Sequence, residues 1–200
     1  HKNAGATVDF IAGGLNFNFN TGVEDQVAQP GDLMDPDNNP DDDGFGNPGN
    51  GTFNSPPVIE AADTGPFFHN NSIETIEGAV AFYNSDAFNN SPAGDVVGGI
   101  SLQASEVVAV AAFLRVINVL ENIRSATEST EFALHVRKSK GAHALIKLAV
   151  AEVEDAIQVL DGGNLHPEAQ RLLRRARFFL KLAAKKHFGP LQKKLLKQAH

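Results

Sequence analysis

A single division near residue 100 constrains the fold of this chain more than any other feature. Residues 1–100 carry one basic residue, Lys2, and 15 acidic ones, a net charge of −14. Residues 101–200 carry 16 basic and 9 acidic residues, a net charge of +7. Asymmetry on this scale marks two segments with different surfaces. One reading is an acidic loop system beside an ordinary basic helical surface. The other is a basic half that docks on the acidic half or on an acidic partner. The local pattern changes at the same place. Residues 1–57 are crowded with Asn, Asp, Gly and Pro, the residues of turns, and Asp35 to Gly51 (DPDNNPDDDGFGNPGNG) is the extreme case. From Ser101 onward the sequence reads as helix to its end.

Aromatic and large apolar residues punctuate the irregular part: Phe10, Leu15, Phe17, Phe19, Phe45 and Phe53. Side chains of this kind in a segment without helical period pack against something, either a large flat cofactor or the helices that follow. A chain of 200 residues buries a core without disulfide staples. Cysteine is absent, which excludes a disulfide framework, a thiolate metal site and a cysteine nucleophile within these residues. No run of about 18 apolar residues occurs, so no membrane-spanning helix is expected. The first residues, HKNAGATVDF, show neither a start methionine nor a signal-peptide pattern, and read as a fragment or a processed chain.

The middle of the chain predicts one short helix. Ser72 is its expected N-cap, Glu74 sits in its first turn, and Ile73, Ile76, Val80 and Tyr83 share a face. Residues 86–100 read as loop. A long helix is expected from about Gln103 to Ile123, with Val107, Val110, Ala111, Leu114 and Ile117 as its stripe. A further helix covers about 128–160, bent near Gly141 and stopped by Asp161-Gly162-Gly163. Asn164 or His166 caps the next, with Pro167 in its first turn. That helix runs to about Lys186, and a short helix follows Gly189-Pro190. The six-residue connection predicts an antiparallel hairpin, with Leu145, Leu148, Val153, Ile157 and Leu160 facing Leu172, Leu173, Phe179 and Leu182.

Residues 53–83, FNSPPVIEAADTGPFFHNNSIETIEGAVAFY, carry the most informative pattern. Phe53, Ser55, Pro56 and Val58 precede Thr64, Pro66, Phe67, Phe68, His69, Asn70, Asn71 and Ser72, and a short helix ends at Tyr83. This segment resembles the C-terminal haem domain of the bacterial di-haem cytochrome c peroxidase family, which includes the tryptophan-tryptophylquinone-forming enzymes. Residues 100–118 resemble the last helix of such a domain, and the likeness covers about residues 1–120. HKNAGA resembles the tail of a Cys-x-x-Cys-His haem attachment motif, whose cysteines are then expected upstream of His1.

The resemblance implies a loop-rich cytochrome c-like haem domain over 1–125, N-terminally incomplete. Residues 128–200 match nothing in that family, and the residue pattern alone predicts an antiparallel helical hairpin with a tail over 126–200, so the expected fold is mostly α. The resemblance also implies haem c as cofactor and His1 as the proximal iron ligand. His69, Phe17, Phe67 and Phe68 would line the haem, with His69 ordering the pocket beside it rather than binding iron. Tyr83 stands fourteen residues after His69, where relatives place a Met or Tyr sixth ligand. A phenolate there favours ferric iron; the other reading of Tyr83 is a core residue with its hydroxyl hydrogen-bonded. Met34, the only methionine, is the weaker candidate. Backbone carbonyls at Thr64 and Pro66 would hold a calcium between two haem domains. Partners implied are a missing N-terminal segment or second haem domain and a redox protein, in a periplasmic or extracellular setting.

Other signals are weaker. Asn39 to Gly44 partly fits the start of a calcium loop, but its twelfth position is Asn50 rather than Glu, so it reads as a solvated acidic loop. His135, His143, His166, His187 and His200 lack metal-ligand spacing. Arg171, Arg174, Arg175, Arg177, Lys181, Lys185 and Lys186 read as a solvated helix face. An acidic chain without a recognition motif argues against nucleic acid. The expected function is electron transfer in a peroxidase-like cytochrome, with no complete active site in these residues. The alternative is a structural or interaction subunit, a degenerate haem fold that docks a partner through its helical hairpin.

Overall fold

Alternation of apolar and amide residues in GLNFNF is a strand pattern, and it forms the centre of a small sheet in the computed structural model. The structure describes residues 8–11, 14–19, 21–23, 53–54, 57–68, 71–136, 139–185 and 189–199. Strands β1 (Val8–Ile11), β2 (Gly14–Phe19) and β3 (Phe53–Asn54) lie in the order β1-β2-β3. Both pairings are antiparallel, with Phe10 opposite Leu15 and Phe19 opposite Phe53. Seven helices follow among the described residues, and the chain is mostly α. Among the described residues no helix is long and apolar enough to cross a membrane.

Contacts divide the chain into two units, residues 1–57 with 64–111, and residues 58–63 with 112–200. The first unit contains the sheet and three short helices where one was expected: α1 (Ile76–Phe82), α2 (Asp86–Asn89) and α3 (Pro92–Val97). The N-cap of α1 is Thr75 rather than Ser72, and its Oγ1 accepts from the Gly78 amide at 3.1 Å. Residues 86–100 are not a loop, because serines start two further helices. Ser85 and Ser91 accept from the amides of Phe88 and Gly94. Each hydroxyl also donates to the end of the preceding helix, at Phe82 O and Phe88 O, both 2.6 Å. One side chain thus closes one helix and opens the next. Gly98, at φ 77, ends α3 in the left-handed conformation that favours glycine.

Two asparagines then fix the extended segment that leads to α4. Asn89 Oδ1 accepts from the Ile100 amide at 2.7 Å, and its Nδ2 donates to the Ile100 carbonyl at 2.9 Å. Asn84 makes the same paired contact with Leu102, at 2.6 and 3.0 Å. Each amide side chain acts as a strand neighbour would, satisfying backbone groups that have no sheet partner. The core of this unit is Val23, Phe82, Phe88 and Ala93, with Phe68, Ile73, Tyr83, Ala87 and Ile100 packed on it.

The long helix differs from its expected length. α4 runs Ala104–His135 without interruption, and the break falls before α5 (Ser139–Gly162). The end expected at Ile123 was a misreading of polarity. Beyond Ile117 the inner face of α4 includes buried Asn118, Asn122, Ser129 and Thr130 among Val119, Ala126 and Ala133. Polar residues on a buried face mask the helical period. On α5, buried Ala142, Ile146, Ala149, Val153, Ala156 and Leu160 recur at alternating steps of four and three, the spacing of a coiled-coil seam. Both sets belong to one hydrophobic cluster, and Ser125 donates to Glu152 between the two helices at 3.0 Å.

α6 (Pro167–Ala184) returns along α5. Arg174 meets Asp161 and Lys181 meets Glu154, so contacts step backward on α5 as they step forward on α6. That register makes the pair an antiparallel helical hairpin. His166 is the N-cap of α6, at φ 46, with no side-chain capping bond, and Pro167 starts the helix. α7 (Pro190–Ala199) packs on α6, where buried Gln192 donates to the Ala183 carbonyl at 3.0 Å. Leu145, Val153, Ile157 and Leu160 join the core together with Leu173, Phe179 and Leu182. Leu148 and Leu172 do not: they are 47% and 56% exposed. Each stands beside a residue that takes the inward place, Ala149 and Leu173. Ala149→Leu should lower stability by about 1–3 kcal/mol through overpacking, and Leu148→Ala by less than about 0.5 kcal/mol, both read from urea unfolding of the full chain.

Candidate functional site

The resemblance directs attention to the loop before α1 and to Tyr83 at its end. Phe67 and Ile73 form an isolated antiparallel bridge, with the Phe67 amide donating to the Ile73 carbonyl at 2.6 Å. Inside this bridge Phe68 has φ 66, an uncommon conformation for a bulky residue. Its ring packs on Phe82 with centroids 4.8 Å apart, a contact that offsets part of the backbone cost. Gly65–Pro66 is a cis peptide.

Tyr83 is the C-cap of α1 and is half-buried. Its ring stands edge-on to Phe88 at 4.9 Å, to Phe82 at 5.6 Å and to Phe68 at 6.3 Å. These T-shaped arrangements suit the quadrupoles of aromatic rings. Burial pushes the phenol pKa above its ordinary value of 10.0, because the phenolate would lose water without gaining a counter-charge. The described residues therefore hold Tyr83 as a neutral phenol within an aromatic wall.

Of the other expected site residues, His1 and His69 lie outside the described residues. Phe17 falls in β2, and its side chain also lies outside them. Phe67 and Phe68 are half-buried, and the structure brings Phe68 and Tyr83 together in one aromatic cluster. Thr64 and Pro66 are exposed. Met34 and residues 39–50 lie outside the described residues. Among the described residues no three His, Asp or Glu side chains converge to hold a metal ion. Tyr83 suits iron in donor chemistry, a hard oxygen in an apolar surround, and the second expected donor is His1. Comparisons with family models, curated proteins and solved structures give no match to this chain.

A polar centre that sequence reasoning missed lies in the helical unit. Asn118 is fully buried. Its Oδ1 accepts from the Ala62 amide at 3.1 Å, and its Nδ2 donates to Asp63 at 2.6 Å. No local signal marks this residue, because its partners are more than fifty positions away. Nearby, partial desolvation of the largely exposed Asp155, and then the charges of Asp63 and Glu154, raise its carboxyl above its ordinary value of 3.8. The folded state therefore holds the Asp155 proton more tightly than the unfolded chain does, and stability falls as pH rises past 3.8. Asp155→Asn should raise the melting temperature at pH 7, and the gain should vanish below pH 3.8.

Tyr83 is the only tyrosine and the chain has no tryptophan, so ultraviolet titration near 295 nm reports on one group. A single step with its midpoint above 10.0 is expected for a buried neutral phenol. A Tyr83 that stays unprotonated at neutral pH would instead mark it as a bound phenolate.

Proposed function

We propose that this chain carries a haem c-binding electron-transfer domain of a di-haem peroxidase-like cytochrome, working in the periplasm or outside the cell. The observation that carries the reading is the place of Tyr83, fourteen residues after His69, at the end of a short helix and against Phe68. Residues 53–83 and the HKNAGA start support it from the sequence. When bound, haem c supplies a one-electron ferric/ferrous couple. His1 and Tyr83 would hold its iron, and Phe17, Phe67, Phe68 and His69 would line it.

The protein's own contribution follows from Tyr83. A neutral phenol in an aromatic wall must give up its proton to ligate, and a cationic iron reverses the burial penalty that now opposes this. A haem held by both His1 and Tyr83 would suit an electron relay and would leave peroxide chemistry to a second haem domain. A calcium at the backbone of Thr64 and Pro66, between the two domains, belongs to the same proposal, as does a redox partner protein. A second reading rests on the absence of cysteine from these 200 residues. In it the haem fold is degenerate and the protein is an interaction subunit that docks through its helical hairpin.

A pyridine haemochrome spectrum of the purified protein separates the two. A c-type spectrum supports the first, and a colourless protein rejects it in favour of the second. In a coloured protein, Tyr83→Phe should shift the ferric spectrum toward high spin. An unchanged spectrum would make Tyr83 a packing residue only.

A further inference from the structure

The helical unit contains a cleft that the electron-transfer reading does not use. It lies between α4, α5, α6 and α7 and has a volume of about 360 Å³. Its floor is apolar: Ala126, Val153, Leu173 and Leu180 line it, and all four are buried members of the bundle core. Its lining also includes the polar residues Thr127, Arg175 and Gln198, of which Arg175 and Gln198 are solvent-exposed. Thr130 also lines the cleft, but its hydroxyl already donates to the Ala126 carbonyl at 2.8 Å. An apolar floor with a few polar groups is the usual build of a small-molecule site in a helical bundle, and this volume is at the small end of the usual range of about 300–1,000 Å³.

The charge in the lining narrows the ligand class. Three of the four arginines on α6 have carboxylate partners: Arg171 pairs with Glu168, Arg174 with Asp161 and Arg177 with Glu154. Among the described residues Arg175 has none. Its guanidinium lies over the Phe179 ring, 5.9 Å from the centroid. That contact leaves its donors free for an anion. The surroundings favour one, since residues 167–199 carry ten basic residues and one acidic, Glu168. A guanidinium fork matches a carboxylate with two parallel hydrogen bonds.

We propose that this cleft binds a medium-chain fatty carboxylate, its tail on the Ala126–Val153–Leu173–Leu180 floor and its carboxylate on Arg175. Tail burial supplies the non-directional part of the affinity. Arg175 supplies orientation, and discriminates an acid from an alcohol of the same length.

Isothermal titration of the full chain with decanoate, below its micelle concentration, tests this. Decanol of equal chain length serves as the uncharged comparison. Saturable one-to-one binding of decanoate is expected, at least tenfold tighter than decanol. Arg175→Gln alters an exposed side chain. It should bring decanoate down to the level of decanol and leave decanol unchanged. Ala176→Phe, which fills the cleft from α6, should abolish both when its far-ultraviolet circular dichroism is native. If that variant does not fold, the Arg175→Gln comparison decides alone. The proposal is overturned by absence of saturable decanoate binding, by equal affinity for the acid and the alcohol, or by an unchanged decanoate affinity in Arg175→Gln.

Discussion

The helical unit depends on one buried amide. Asn118 has no solvent exposure, yet its side chain satisfies a backbone amide at Ala62 and a carboxylate at Asp63. A buried polar group without partners costs more than a hydrogen bond between partners returns. Asn118 therefore forces residues 58–63 onto the bundle, and they belong to that unit although residues 64–111 separate them from its remainder. The same constraint sets local electrostatics, because the bond places Asp63 where its charge opposes ionisation of Asp155.

The inner face of α4 carries this logic further. Asn122, Ser129 and Thr130 are buried along the helix with Asn118. Thr130 turns its hydroxyl back to the Ala126 carbonyl, a way for threonine in a helix to satisfy itself locally. Asn122 Nδ2 has no partner among the described residues. In the same hydrophobic cluster, α5 supplies a regular seam of alanine and larger aliphatic residues. The bundle thus combines a polar match at Asn118 on α4 with burial specified by shape on α5. The first demands a given register, and the second tolerates small shifts at lower cost.

What was legible in the sequence followed this division. The stop at Gly162, Pro167 at the start of α6, the antiparallel return and part of the buried face of α5 (Val153, Ile157 and Leu160) were readable, because apolar period and helix punctuation act locally, whereas the alanines of the seam were not. The unbroken course of α4 was not, since its buried polar positions imitate a helix end. In the first unit α2 and α3 were hidden by their brevity: each is a single capped turn or little more, held by Ser85 or Ser91. Asn84 and Asn89 look like turn residues in the sequence, and only tertiary placement gives them their role as substitutes for a neighbouring strand. The candidate site was half legible. The end of α1 and its tyrosine were expected, but the ring of Phe68, Phe82 and Phe88 around Tyr83 depends on contacts that no local spacing encodes.

The attachment of residues 62 and 63 to Asn118 also orders events in time. The two partners lie 55 and 56 positions apart, whereas α5 and α6 meet across a short connection. Closing a longer loop costs more chain entropy, by about (3/2)RT ln n for n residues. Local hairpins form before distant pairings under that penalty. During synthesis, residues 58–63 leave the ribosome well ahead of α4 and have no docking place until that helix exists. A folded segment 64–111 would shorten the effective loop and hasten capture. Maturation of the bundle would then be timed by residues 64–111, the stretch that lies between its two parts.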